Sequence, residues 1–373
     1  MAKAKKSFGA KAKKTDKPEV AFEIFSDLDG VLTNFDQHAK DNDKFDAKGN
    51  PKWDELDFKW WSTMPAYDGA KEFYDELRER GRTRMLTAPI MNADSFRGKA
   101  EWVKEFRRNR FALRDLIIAK AEDKELLARP HHILVDDRQK NVDAWVKAGG
   151  IGIVHNGDYA DTLKRLDAAM AKYTLENDPS LPPPPPVPQD LGTVKVFIGT
   201  NGVLADFQTH LETEGKIDAK GKTKWEELDV AWWKGIPAYK GAKEFYDAVR
   251  DAAKDPATGK SVVRFMTGPV PHPDSFDGDA QWTMGFRPES KKFALLDLLI
   301  VRSKDKNLLA RSNNILIDDR ASNIKAWQDA GGLGILHKGD FAETLKELQE
   351  TIADYRKPPM RRILPMNKPP TPR

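Results

Sequence analysis

The sequence predicts an α/β architecture in which a parallel sheet flanked by helices is built twice in tandem. Three observations carry this reading. Strand-like apolar runs alternate with helix-like stretches, a pattern that argues for parallel strands joined by helical crossovers. A long internal repeat then doubles the pattern. Finally, Asp27, Thr87 and Asp136 each follow directly on a strand-like run, and parallel α/β sheets bind ligands beyond the carboxyl ends of their strands.

The elements of the first copy come in order. Val20–Phe25 is the first strand-like run and leads straight into Asp27-Leu28-Asp29-Gly30. The stretch Ala70–Arg80 puts Phe73, Tyr74 and Leu77 on one face, as an amphipathic helix requires. Arg84–Leu86, His132–Val135 and Gly152–Val154 read as further strands, with a helix over Asn141–Ala148. Gly149-Gly150-Ile151-Gly152 is a helix end running into a strand, not a dinucleotide fingerprint. His131-His132 has no second ligand pair, which argues against zinc.

The repeat fixes the organisation. Trp53, Trp60, Trp61, Pro65 and Tyr67 recur at an offset of 172, and Gly69–Asp75 recurs unchanged as Gly241–Asp247. Thr87 returns as Thr267 at 180, and Asp136-Asp137-Arg138 returns as Asp318-Asp319-Arg320 at 182. The added residues lie within Ala252–Lys260, which reads as a lengthened turn. A period this long makes each copy a whole domain rather than a solenoid unit. The expected division is a basic tail at 1–18, a first copy at 19–175, a proline-rich linker at 176–193, a second copy at 194–355 and a basic, proline-rich tail at 356–373. Pro182–Pro186 favours an extended polyproline spacer.

Composition bounds the function. The 373 residues include no cysteine, which excludes disulfides, thiolate catalysis and cysteine-ligated metals. No apolar stretch approaches the ~20 residues of a membrane span, and the basic amino terminus has no apolar segment behind it to make a secretory signal. The expectation is a soluble, cytoplasmic protein that does not engage membranes. The formal net charge of +4 is unevenly spread. Residues 1–17 hold seven Lys against one Asp, and residues 356–373 hold six Lys or Arg and no acid, so the body between them is acidic. Such tails either stay solvated or bind nucleic acid or an acidic partner by charge.

Four elements capable of chemistry occur in order: Asp27-x-Asp29, Thr87, Lys124 and Asp136-Asp137. Two carboxylates in one turn allow one to attack while the other moves a proton. The order and the positions after strands resemble the haloacid dehalogenase superfamily of phosphatases over most of each copy. Within it, Asp27–Phe35, Leu86–Ile90 and Leu134–Arg138 are most similar to the 5′(3′)-deoxyribonucleotidases. The resemblance implies two tandem Rossmann-like domains, each with a small cap insertion, and Mg²⁺-dependent hydrolysis of a phosphomonoester, with a nucleotide as the small phosphorylated substrate.

The same resemblance implies the roles. Asp27 is the nucleophile and forms an aspartyl-phosphate, and Asp29 is the acid and base. Thr87 hydrogen-bonds a phosphate oxygen and Lys124 neutralises its charge. Lys124 is preferred to Lys120 because the repeat keeps it as Lys306, whereas Lys120 becomes Arg302. Asp27, Asp136 and Asp137, with the main-chain carbonyl of Asp29, hold Mg²⁺, which suits oxygen ligands. The cap spans about Gln37 to Met64, with a hairpin turn at Phe45–Asn50. Trp60 and Trp61 fall where the nucleotidases set aromatics against the base. Trp232-Trp233 persists in the second copy, so stacking and packing both stand as roles for this pair.

The second copy has Gly199 and Asn201 in place of Asp27 and Asp29, while Thr267, Lys306, Asp318 and Asp319 remain. It is expected to be a degenerate site without a covalent step. Two other classes of function stay open at this point. One is a nucleic-acid-associated protein, as an end phosphatase or a binder through its tails. The other is a structural or assembly protein on an inherited enzyme fold.

Overall fold

In the computed structural model, which describes residues 21–176 and 193–357, each copy supplies five strands. The first copy gives β1 (Glu23–Ser26), β2 (Arg82–Thr87), β3 (Leu116–Ile118), β4 (His132–Asp136) and β5 (Ile151–Val154). The second gives β6 (Lys195–Gly199), β7 (Val262–Thr267), β8 (Leu298–Ile300), β9 (Asn314–Asp318) and β10 (Leu333–Leu336). The two basic tails and almost all of the proline-rich linker lie outside the described residues.

All ten strands form one sheet in the order β10-β9-β6-β7-β8-β3-β2-β1-β4-β5. Within each copy every pairing is parallel, which gives the Rossmann-like α/β arrangement. Alternate strand residues face opposite sides and build two apolar layers. Ile24, Ile133 and Val135 lie in one layer. Phe25 and Leu134 lie in the other with Trp145, and the same layer continues through Phe197 and Trp327 of the second copy.

The sequence predicts a sheet for each copy, and the structure joins them. β3 and β8 meet antiparallel, with Ile118 opposite Ile300. Each is a three-residue, wholly buried apolar strand at the edge of its copy. Such an edge leaves backbone donors and acceptors unpaired, and mutual pairing satisfies both. The polar contacts at the join are reciprocal. Arg84 reaches Asp305 at 3.2 Å, and its counterpart Arg264 reaches Asp123, the counterpart of Asp305, at 2.5 Å. Arg129 donates to the Ala310 carbonyl and Arg311 to the Ala128 carbonyl. The copies therefore meet about a local two-fold, as in a symmetric dimer.

The helix Ala70–Arg80 has the predicted bounds and buries Phe73, Tyr74 and Leu77. The turn at Phe45–Asn50 is closed by an antiparallel bridge between Phe45 and Pro51, repeated as Ile217 with Thr223. Asp46 there accepts from the Lys48 and Asn50 N–H groups at 2.8 Å, which fixes the turn without an ion. The lengthened turn of the second copy closes through Asp255 N–H to the Lys260 carbonyl at 2.8 Å. Among the described residues no helix is long and apolar enough to cross a membrane.

Candidate active site

β1 ends one residue before Asp27, whose N–H still donates to the Val135 carbonyl at 2.8 Å and so continues the ladder to β4. The chain then turns through Gly30, which adopts φ +85°. A Cβ on Gly30 would stand 2.4 Å from Asp137 Oδ2, so the glycine provides both the turn and the room for that carboxylate.

Lys124 joins the ends of β1 and β4. Its Nζ lies 2.9 Å from Asp27 Oδ2 and 2.8 Å from Asp136 Oδ2. Asp27 Oδ1 accepts from the Leu28 N–H at 2.8 Å. Asp136 Oδ1 accepts from the Arg138 N–H at 2.9 Å, and Asn141 Nδ2 donates to both Asp136 oxygens at 3.0 Å. One ammonium is thus shared between two buried carboxylates. Burial pushes the Asp27 carboxyl up to about 8, with repulsion from Asp136 and Asp29 added and the pull of Lys124 opposed. Burial also acts against Asp136, but Lys124 and the hydrogen bonds outweigh it and hold that carboxyl below its usual range. Lys120 does not join this contact; it pairs with Glu122 at 3.5 Å at the cavity mouth.

The arrangement fits a hard cation. Asp27, Asp136 and Asp137 each offer an oxygen within 4.8 Å of the others. Asp137 Oδ1 is buried with no hydrogen-bond partner among the described residues. Burial pushes the Asp137 carboxyl up, and the neighbouring Asp136 adds to this. An ion with oxygen ligands such as Mg²⁺ would satisfy the orphaned atom and relieve the crowded charge. The Asp29 side chain is outside this trio.

Asp29 is held instead by a residue that the sequence reading did not single out. Lys99 Nζ lies 2.7 Å from Asp29 Oδ2 and donates to Thr87 Oγ1 and to the Ala88 carbonyl, both at 2.8 Å. Thr33 Oγ1 donates to the other Asp29 oxygen at 3.2 Å. Lys99 sits on the helix Asp94–Arg107 and is 1% exposed. One signal was available: Lys99 stands three residues after Phe96 and four before Val103, on the apolar face of a helix. A lysine there must find a buried partner.

These groups open onto a cavity of about 530 Å³. Phe35, Trp53, Trp61 and Tyr67 are its aromatic lining residues. Trp61 is nearly buried, donates its indole N–H to the Leu56 carbonyl at 3.2 Å and carries Lys99 over its ring at 4.8 Å. Trp60 lies behind the wall, packed edge-on against Phe35 and Trp61. Trp53, 41% exposed, presents the freer aromatic face.

The second copy repeats the scaffold without the trio. A Cβ on Gly199 would lie 3.3 Å from Asp318 Oδ2, so the place of Asp27 holds no side chain. Among the described residues Lys306 pairs with Asp318 alone, at 2.7 Å. Asn201 Oδ1 is buried without a partner. Thr267 donates to Asp279, which occupies the place of Lys99, at 3.1 Å. Burial pushes the Asp279 carboxyl up to about 7, against the opposing Thr267 hydrogen bond. Among the described residues the three-carboxylate cluster occurs in the first copy, and Asp318 and Asp319 lack a third partner.

No family model matches the chain, and no curated protein matches it.

Proposed function

We propose that the first copy is a Mg²⁺-dependent phosphomonoesterase of the haloacid dehalogenase type acting on a nucleotide, and that the second copy lacks turnover. The observation that carries this reading is the shared contact of Lys124 with Asp27 and Asp136 at the strand ends, beside a third carboxylate with an orphaned oxygen. Structural packing alone does not call for three clustered carboxylates beside a cavity.

In the proposed reaction an Asp27 oxygen attacks phosphorus. The bond to the leaving oxygen breaks, and Asp29 gives that oxygen its proton. Water then attacks phosphorus in the aspartyl-phosphate while Asp29 takes the water's proton. Inorganic phosphate leaves and Asp27 is regenerated. Asp27, Asp136 and Asp137 would hold a magnesium ion, which would supply the charge that lets a carboxylate approach a phosphate dianion. Lys124 orients Asp27, and Lys99 orients Asp29 and Thr87 beside the reacting group. Positioning and electrostatics of this kind do most of the work in phosphoryl transfer.

The aromatic lining of the cavity supports a nucleotide, because Trp53, 41% exposed, offers a flat face to a base. The fold alone does not select the substrate. The test is a panel of 5′- and 3′-nucleotides and sugar phosphates with Mg²⁺, run on the natural chain and on Asp27→Asn. Turnover that Asp27→Asn abolishes while the circular dichroism spectrum is kept supports the reading. Absence of turnover across the panel, or an active Asp27→Asn variant, refutes it.

A further inference from the structure

We infer that the second copy is a metal-independent binding site for a nucleotide-like phosphorylated ligand, completed by Arg114 of the first copy. A cavity of about 410 Å³ lies at the strand ends of this copy, in the same place as the catalytic cavity of the first. The charge of its lining is reversed. In the first cavity Lys99, Lys120, Lys124 and Arg138 face five carboxylates: Asp27, Asp29, Asp36, Glu122 and Asp137. In the second, Arg114, Arg302, Lys304, Lys306 and Arg320 face only Asp318 and Asp319.

The reversal comes from replacements at matching positions. Gly199 and Asn201 remove two acids, and Lys304 stands where the first copy has Glu122. The remaining change comes from across the join. β3 runs antiparallel to β8, so the turn that enters β3 lies beside the carboxyl end of β8. Arg114 in that turn therefore lines the second cavity. The reciprocal residue is Leu296, which lines the first cavity.

The cations are also available. Lys306 is tied to Asp318, but Arg114, Arg302, Lys304 and Arg320 form no ion pair among the described residues. In the first cavity Lys99, Lys120 and Lys124 are each matched by a carboxylate, and of its four cations Arg138 alone forms no ion pair among the described residues. A phosphate dianion approaching the first site meets carboxylates and needs a bridging cation. One approaching the second meets unmatched guanidinium and ammonium groups, which bind phosphate directly. Asp279, the acid that engages Thr267, lies behind the cavity wall and does not line it. Phe207, Trp225 and Trp233 also line the cavity. Trp225 stacks on Phe207 with 23° between the rings and is 36% exposed, so a flat apolar face lines the same cavity as the cations.

Isothermal titration of the full chain in EDTA at low ionic strength tests this, with adenosine 5′-monophosphate as the probe and with inorganic phosphate and adenosine as separate arms. The expected result is one equivalent of the monophosphate bound, more tightly than phosphate, with adenosine far weaker. Arg114→Leu, which copies the reciprocal residue, and Lys304→Glu, which copies the first site, each weaken binding at least about tenfold. Lys338→Leu, at an exposed lysine that does not line the cavity, does not. Three results overturn the inference: no binding in EDTA, affinity unchanged in both Arg114→Leu and Lys304→Glu with the spectrum of the folded chain retained, or adenosine binding as tightly as the monophosphate.

Discussion

Lys99 Nζ lies 2.7 Å from Asp29 Oδ2, and the matching positions of the second copy carry Asp279 and Asn201. Both members of the contact have changed together. A buried ammonium needs a carboxylate, and once the acid is lost the lysine has no favourable partner. Lys99 should therefore be a positioning residue for Asp29 and Thr87. Lys99→Met is expected to lower kcat by about a hundredfold, within the range of acid–base contributions. Lys99→Arg should recover part of it. Steady-state kinetics on both variants checks this; a change confined to thermal stability would leave Lys99 with a packing role.

Asp279 gives the second copy a pH signature. Burial raises its carboxyl to about 7 from 3.8 in an unperturbed aspartate. Between those values the folded chain binds more protons at this group than the unfolded chain. The stability it contributes is fully present below about pH 4 and is lost as pH rises through 7. Asp279→Asn keeps an acceptor for Thr267 and removes the titration. The variant should gain on the natural chain by about 1.4 kcal/mol per pH unit across the window, then level off. Denaturant unfolding at pH 5 and pH 8 measures it; an equal difference at both values would show that Asp279 does not titrate there.

The join between the copies rests on reciprocal ion pairs. Arg82 and Arg84 both reach Asp305, and Arg84 is nearly buried. Asp305→Ala leaves the Arg84 guanidinium with Glu23 alone. Breaking a buried pair by removing one partner costs about 3–5 kcal/mol. Asp123→Ala should cost a similar amount, because Arg264 loses the equivalent partner. Losses under about 1 kcal/mol in both variants would assign the join to the apolar edges Leu116–Ile118 and Leu298–Ile300 instead.

These contacts mark where the sequence was legible. Asp27, Thr87 and Asp136 could be read because each is placed at a strand end and the parallel sheet gathers strand ends on one side, and Lys124 because the repeat keeps it as Lys306. The helix Ala70–Arg80 could be read because its apolar spacing and flanking glycines are local. Lys99 was missed because a lysine in a helix reads as solvated until its neighbours at three- and four-residue spacing are considered. β3 was missed because three apolar residues carry no periodicity. The single continuous sheet was missed for the same reason, since its one antiparallel pair joins residues far apart in the chain. Trp60 and Trp61 are adjacent in sequence, but consecutive helix residues face different ways, so Trp61 meets the cavity and Trp60 does not.

The orphaned oxygen of Asp137 makes the metal testable without turnover. With no ion, Asp137 adds a carboxylate beside Asp136 and Asp27, and its Oδ1 is buried without a partner. Asp137→Asn relieves that crowding, so in EDTA the variant should unfold at a temperature equal to or above that of the natural chain. With Mg²⁺ the order should reverse. An ion at a hundred times its Kd stabilises the folded state by about 2.7 kcal/mol, and the variant forfeits most of that gain. Asp319→Asn, at the matching place in the second copy, should leave the Mg²⁺ shift unchanged because that copy lacks the third carboxylate. Calorimetric scans of the three proteins, each with EDTA and with Mg²⁺, give the result. A Mg²⁺ shift that survives Asp137→Asn but disappears in Asp319→Asn would move the ion to the second copy and sink the proposed catalytic site.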